Sequence, residues 1–168
     1  MADSNPASGL DEFREAALHC PLPHAVELIG EKWAFLILRG AFNGLQHFEH
    51  FQAGLGIARN ILSDRLAKFV AGGILERSQD HSDRRKVIYS LTEKGEALLP
   101  VVLALRQWGE EWGHGPATVV LADRADGKPI RRIAVQSEDG RELKLPDLMW
   151  VSREASDVPA RRQDEEAA

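Results

Sequence analysis

Cysteine is nearly absent: Cys20 is the single one in 168 residues. An internal disulfide is excluded, and a reducing, cytoplasmic setting is expected. No uninterrupted apolar run approaches the length that spans a bilayer, so no membrane contact is expected. The opening MADSNPASGLDEF has no cationic start followed by an apolar stretch, so no secretory leader is expected. A phosphate-cradling loop is missing too, because GLGIAR at 54–59 has neither the spacing nor the Lys-Ser/Thr pair. There is no GxSxG, and the acids are scattered rather than paired. No enzyme activity and no cofactor are therefore expected. Nor is the chain coated in cations: 21 Lys and Arg stand against 26 Asp and Glu, a net charge of -5. A local basic face remains open, because phosphate contacts depend on nearby charge.

What is present is a soluble globular profile, 43% hydrophobic and 28% charged, enough for one domain with an appendage. Residues 1–9 are small and polar and are expected to be disordered. Leu10, Phe13, Ala17 and Leu18 have helical spacing, and Pro21 and Pro23 end that run. A short helix follows at Ala25–Ile29. WAFLILRGAF at 33–42 predicts a buried helix stopped by Asn43-Gly44, and 47–53 predicts a short amphipathic one. Gly54 and Gly56 permit a tight turn. In IARNILSDRLAKFVAGG, Leu62, Leu66 and Phe69 form one apolar stripe. Asn60, Ser63, Asp64 and Lys68 point away from it, Arg59 lies in the first turn, and Ala58 offers no capping oxygen. Residues 74–78 and 86–91 predict a hairpin around QDHSDRR. Thr92 is placed to cap a helix running to residue 112, kinked at Pro100. Beyond residue 116, Asp126-Gly127 and Asp139-Gly140 predict a small meander with strands near 117–122, 130–136 and 141–145. The charged, alanine-rich residues 153–168 are expected to be disordered. The expected divisions are thus 1–9, 10–115, 116–152 and 153–168.

Helix, helix, short helix, tight turn, exposed helix, cationic hairpin, long helix is the order of a winged helix-turn-helix, mainly α with a small β part. The major groove admits an α-helix, and the hairpin is the wing. Between Gly56 and Lys94 eight cations (59, 65, 68, 77, 84, 85, 86, 94) outnumber five acids (64, 76, 80, 83, 93). They gather on one helix face and one loop. Arg59, Asn60 and Ser63, with Asp64 beside them, are the candidates for base edges, and Arg65 and Lys68 for phosphates. Arg84, Arg85 and Lys86 would meet phosphates or the adjacent minor groove. The alternatives are a solvated charged face, or a winged helix that binds proteins without specific DNA binding.

Three stretches make the pattern specific: CPLPHAVELIGEKWAFLILRGAF at 20–42, IARNILSDRLAKFVAGGILER at 57–77 and YSLTEKGEALLPVVLALRQWGEEW at 89–112. With Cys-Pro, Ile-Gly-x-Lys-Trp and Leu-Thr-x-x-Gly together, the chain resembles the HxlR family of bacterial winged-helix regulators, relatives of the MarR group. The resemblance covers about residues 18–114. It implies a homodimer on inverted-repeat DNA that represses or activates transcription. The Asp83-Arg84-Arg85 wing looks more like the MarR group. Dimerisation through the N-terminal helix and the 93–112 helix also fits their apolar stripes, whose alternative role is to cover the monomer's own core.

Other residues carry competing readings. Cys20 is a candidate redox sensor, a role the resemblance implies for some members, or else a buried small hydrophobe. His19, Cys20 and His24, or His47 and His50, make thin metal cases, and no metal site is expected. Trp33, Trp108 and Trp112 are candidates to line a pocket for a small-molecule effector, or else serve as core and interface.

Overall fold

Apolar spacing decides where the helices lie, and it does so across most of the first hundred residues. The computed structural model describes residues 6–80, 83–113, 115–151 and 156. Its elements are α1 (Pro6–Leu18), α2 (Leu22–Ile29), α3 (Lys32–Phe42), α4 (Phe48–Leu55), α5 (Arg59–Ala71), β1 (Leu75–Gln79), β2 (Val87–Leu91), α6 (Glu93–Glu96), α7 (Leu99–Trp112) and a 3-10 turn at Leu145–Asp147. The chain divides into two units, Met1–Val119 and Val120–Ala168.

The core of the first unit is built around α3. Ala34, Ile37 and Leu38 of α3 pack with Phe51 of α4, Leu62, Leu66 and Phe69 of α5, and Ile74 and Leu75 at the start of the wing. Gly40 allows the close approach of α3 and α4, since a Cβ there would sit 3.1 Å from the Phe51 ring. Gly56 closes α4 in the left-handed region at φ 60, and α5 starts three residues later. This is the tight turn of a helix-turn-helix.

β1 and β2 pair antiparallel from Leu75↔Leu91 to Gln79↔Val87. A third backbone segment joins them, because the Tyr89 amide donates to Gln46 O at 2.8 Å and His47 bridges Ile88. At the foot of the wing the Thr92 hydroxyl donates to Gly73 O at 2.6 Å and accepts from the Gly95 amide at 3.1 Å. Thr92 is thus the N-cap of α6, as its position predicts. The Gly of Leu-Thr-x-x-Gly has a steric reason: a Cβ on Gly95 would lie 2.2 Å from Ile74 O.

Four expectations need correction. The single kinked helix over 93–112 is two helices, with Ala97 and Leu98 between them and Pro100 in the first turn of α7. Proline lacks an N–H and clashes with the carbonyl four residues back, so it starts a helix rather than bending one here. For the same reason α2 begins at Leu22, with Pro23 in its first turn. α1 begins at Pro6, so residues 6–9 are helical rather than disordered. Residues 1–5 lie outside the described residues, as does the 153–168 tail apart from Ser156. The meander of the second unit is reduced to two tight turns with one isolated bridge each, Ala122↔Pro129 and Gln136↔Glu142. Gly127 and Gly140 sit at φ 71 and 82, as Asp-Gly turns require. Pro129 has no donor to extend its ladder, and none of the described residues of 120–151 is buried.

Candidate nucleic-acid interface

α5 is held by its apolar stripe, which fixes what the opposite side shows. Arg59, Asn60, Ser63 and Asp64 are exposed, and Lys68 is half-buried. The N-cap position, Ala58, makes no side-chain cap bond, as its side chain dictates. The Arg59 guanidinium lies 4.8 Å from the centroid of the Phe48 ring. Arg65 behaves differently from its neighbours. It is half-buried and its Nη1 lies 2.5 Å from Glu31 Oε1, so its charge already has a partner within the chain.

The wing tip presents Arg84, Arg85 and Lys86, all exposed. Asp83 organises the turn: the Arg85 amide and Nε each donate to its Oδ1 at 3.1 Å, and the Lys86 amide donates to its backbone O at 2.8 Å. The Arg85 side chain first, and its amide second, hold the Asp83 carboxyl below the ordinary carboxylate range. The Arg85 side chain stays 91% exposed despite this pair, so it remains open to an anion.

His47 ties the wing to the helix pair. Its Nδ1 is 3.1 Å from Val87 O and its Nε2 is 3.6 Å from Asp80 Oδ2, while its ring meets His50 edge-on at 5.1 Å. The tip-side end of the wing's ladder and the first turn of α5 are therefore linked through Val87, His47, Phe48 and Arg59. Among the described residues, no group of three metal-ligating side chains is brought together.

Cys20 is exposed at the α1–α2 junction rather than buried. Trp33 is half-buried against the core, with Lys32 Nζ 5.1 Å above its ring. Trp108 and Trp112 are exposed on α7. A shallow cavity of about 210 Å³ lies elsewhere, lined by Leu28, Ile29, Ile74 and Leu98 with His24 and Lys94.

Sequence reasoning missed three features: the Gln46–His47 edge, the Arg59–Phe48 stack and the Arg65–Glu31 pair. Each joins residues distant in sequence, and only the capless Ala58 hinted that something else secured the start of α5.

Comparison with known proteins agrees with this geometry. The model of the HxlR-like helix-turn-helix family matches residues 28–116. The uncharacterised HTH-type transcriptional regulator Rv3095 of Mycobacterium tuberculosis is 39% identical over 107 residues, 64% of this chain and 62% of that protein. The crystal structure of PA1607, a candidate transcription factor, is 40% identical with a TM-score of 0.74, over 80% of this chain and 94% of that one. The redox regulator HypR in its reduced form is 33% identical with a TM-score of 0.50, over 55% of this chain and 92% of that one.

Proposed function

The chain belongs to the HxlR-like helix-turn-helix family, and we propose that it is a transcriptional regulator that binds inverted-repeat operator DNA as a homodimer. One observation carries this reading: the first turn of α5 and the tip-side end of the cationic wing are joined through His47 and Phe48. Arg59, Asn60 and Ser63 read base edges, with Asp64 beside them. Lys68 and the wing residues Arg84, Arg85 and Lys86 meet phosphates. Arginine is suited to guanine and asparagine to adenine.

The dimer reading draws on surface left uncovered. α7 carries exposed Val101, Leu105, Trp108 and Trp112 and fully buries none of its residues. α1 exposes Leu10, Phe13 and Leu18. Burying such side chains is worth roughly 1.5–3 kcal/mol each, and a two-fold pairing would supply the burial. It would also set half-sites about one helical turn apart, roughly 34–36 Å.

Selection from a randomised duplex pool by the full chain tests the reading. Enrichment of an inverted repeat is expected. Fluorescence anisotropy on that duplex should give a steeply negative slope of log affinity against log salt. No enriched sequence together with a flat slope would favour a protein-binding module.

A redox signal is the second element, supported by the exposure of Cys20. HypR, a structural neighbour of this chain, is by name a redox regulator. As the sole cysteine, Cys20 can form a sulfenic acid, or a disulfide with a small thiol or a second copy. Peroxide or hypochlorite should release DNA from the native chain and not from Cys20→Ser. Equal release from both leaves a small-molecule effector as the input.

A further inference from the structure

Among the described residues, Arg65 is the cation of α5 that forms an ion pair, with Glu31. We propose that Arg65 is a positioning residue: with Glu31 it fixes the roll of α5 about its axis, and so sets sequence discrimination without touching DNA. The inference rests on the DNA-binding reading above and adds to it.

Three observations carry it. First, the contact is short and partly shielded: Nη1 to Oε1 is 2.5 Å, with the Arg65 side chain 22% exposed. A charge-assisted contact of this kind is stronger than an exposed surface pair. Second, the inner edge of the guanidinium is out of solvent. Arg65 Nε is buried and meets no acceptor among the described residues. A side chain seated in this way is not free to swing outward to a phosphate.

Third, Glu31 is not spent on its own helix. It occupies the N-cap of α3 with an extended backbone, φ -106 and ψ 148, yet makes no side-chain cap bond. Its carboxylate goes to α5 instead.

Helix geometry shows what the pair does. At about 100° per residue, Arg65 and Arg59 lie about 120° apart, and the arc between them holds Leu62, Leu66 and Phe69. The two arginines therefore border the buried stripe on opposite edges. Arg59 rests on Phe48 of α4, and Arg65 is tied to the start of α3. Apolar packing sets which face α5 buries, and the two arginine contacts act at the edges of that face. Two polar ties on opposite edges resist roll both ways. A bidentate base contact is sensitive to such rotation, whereas a phosphate contact is less so.

The test uses the full chain, the duplex enriched by selection and a scrambled duplex of equal composition. Glu31→Gln should cut the affinity ratio between the two duplexes about tenfold, equivalent to one lost base contact. The salt slope and the thermal midpoint should hardly move. Arg65→Lys should cut the ratio likewise, since it keeps the charge but not the planar guanidinium that reaches Glu31. The exchange variant, Glu31→Arg with Arg65→Glu, should recover most of the ratio. An unchanged ratio in both Glu31→Gln and Arg65→Lys would overturn the proposal. So would tighter binding of both duplexes by Glu31→Gln with a steeper salt slope, which would make Arg65 a phosphate contact that Glu31 restrains. A native chain that enriches no duplex removes the DNA-binding reading, and the role of Arg65 with it.

Discussion

Arg59 and Phe48 are the first residues of consecutive helices, and the guanidinium of one lies 4.8 Å from the ring centre of the other. The contact holds a long, flexible side chain in one place before any duplex arrives, which lowers the ordering cost of binding. Phe48→Leu keeps an apolar side chain against the core and removes the π-face. Its expected effect is a two- to fivefold drop in operator preference, in keeping with about 0.5–1 kcal/mol for an exposed cation–π contact. Arg59→Ala should cost more, about 1–3 kcal/mol of discrimination. Anisotropy titrations on selected and scrambled duplexes measure both, and equal losses on the two duplexes for Arg59→Ala would remove it from base reading.

The wing tip yields a pair of opposite outcomes. Arg84→Ala with Arg85→Ala should weaken binding to every duplex and make the log–log salt slope shallower by roughly two units. Asp83→Asn should do the reverse, because it removes an anion near the phosphates and releases Arg85 from its pairing. The pH behaviour follows from the same pair. A carboxyl held below its ordinary range adds stability that is full above its unfolded pKa and is lost as pH falls through the folded one. The Asp83–Arg85 turn is therefore intact at neutral pH and opens only in acid, visible as a loss of Arg85 restraint by NMR.

Leu105→Glu with Trp108→Glu places charges on the exposed face of α7. Sedimentation should show a monomer with unchanged far-UV circular dichroism. Operator affinity should fall at least a hundredfold, since two half-sites are no longer bound together. Retention of the dimer would assign that face to another partner.

Gly95→Ala tests the foot of the wing. The new methyl would lie 2.2 Å from the Ile74 carbonyl, so backbone must move. A loss of about 1–3 kcal/mol is expected, read from chemical denaturation, although alanine is the better helix former. Thr92→Ala should cost roughly 1 kcal/mol through the lost cap.

Local signals explain what was legible. Leu62, Leu66 and Phe69 announce the buried side of α5, and WAFLILRGAF announces a core helix, because each pattern closes within a few turns. Thr92 and the two Asp-Gly turns are equally local. The sequence pattern placed Pro100 inside one helix, since proline is compatible with both a kink and a first turn, and α6 and α7 differ only in which applies. Arg65 illustrates the other limit. Its spacing on α5 suits a phosphate contact, and nothing nearby in the chain reveals that Glu31 is waiting for it. Cys20 is similar: small and apolar by composition, it is exposed between α1 and α2.

The amide of Tyr89 gives its hydrogen to Gln46, and the imidazole of His47 reaches a carbonyl 40 positions along the chain. A hairpin stitched in this way does not breathe as a loose flap. Its inner strand opens only when the segment ahead of α4 detaches, so amide-hydrogen exchange at Tyr89 should be as slow as in the central helices. Exposed Arg84 should exchange faster, so the protection of the wing is set at its inner strand and not at its end.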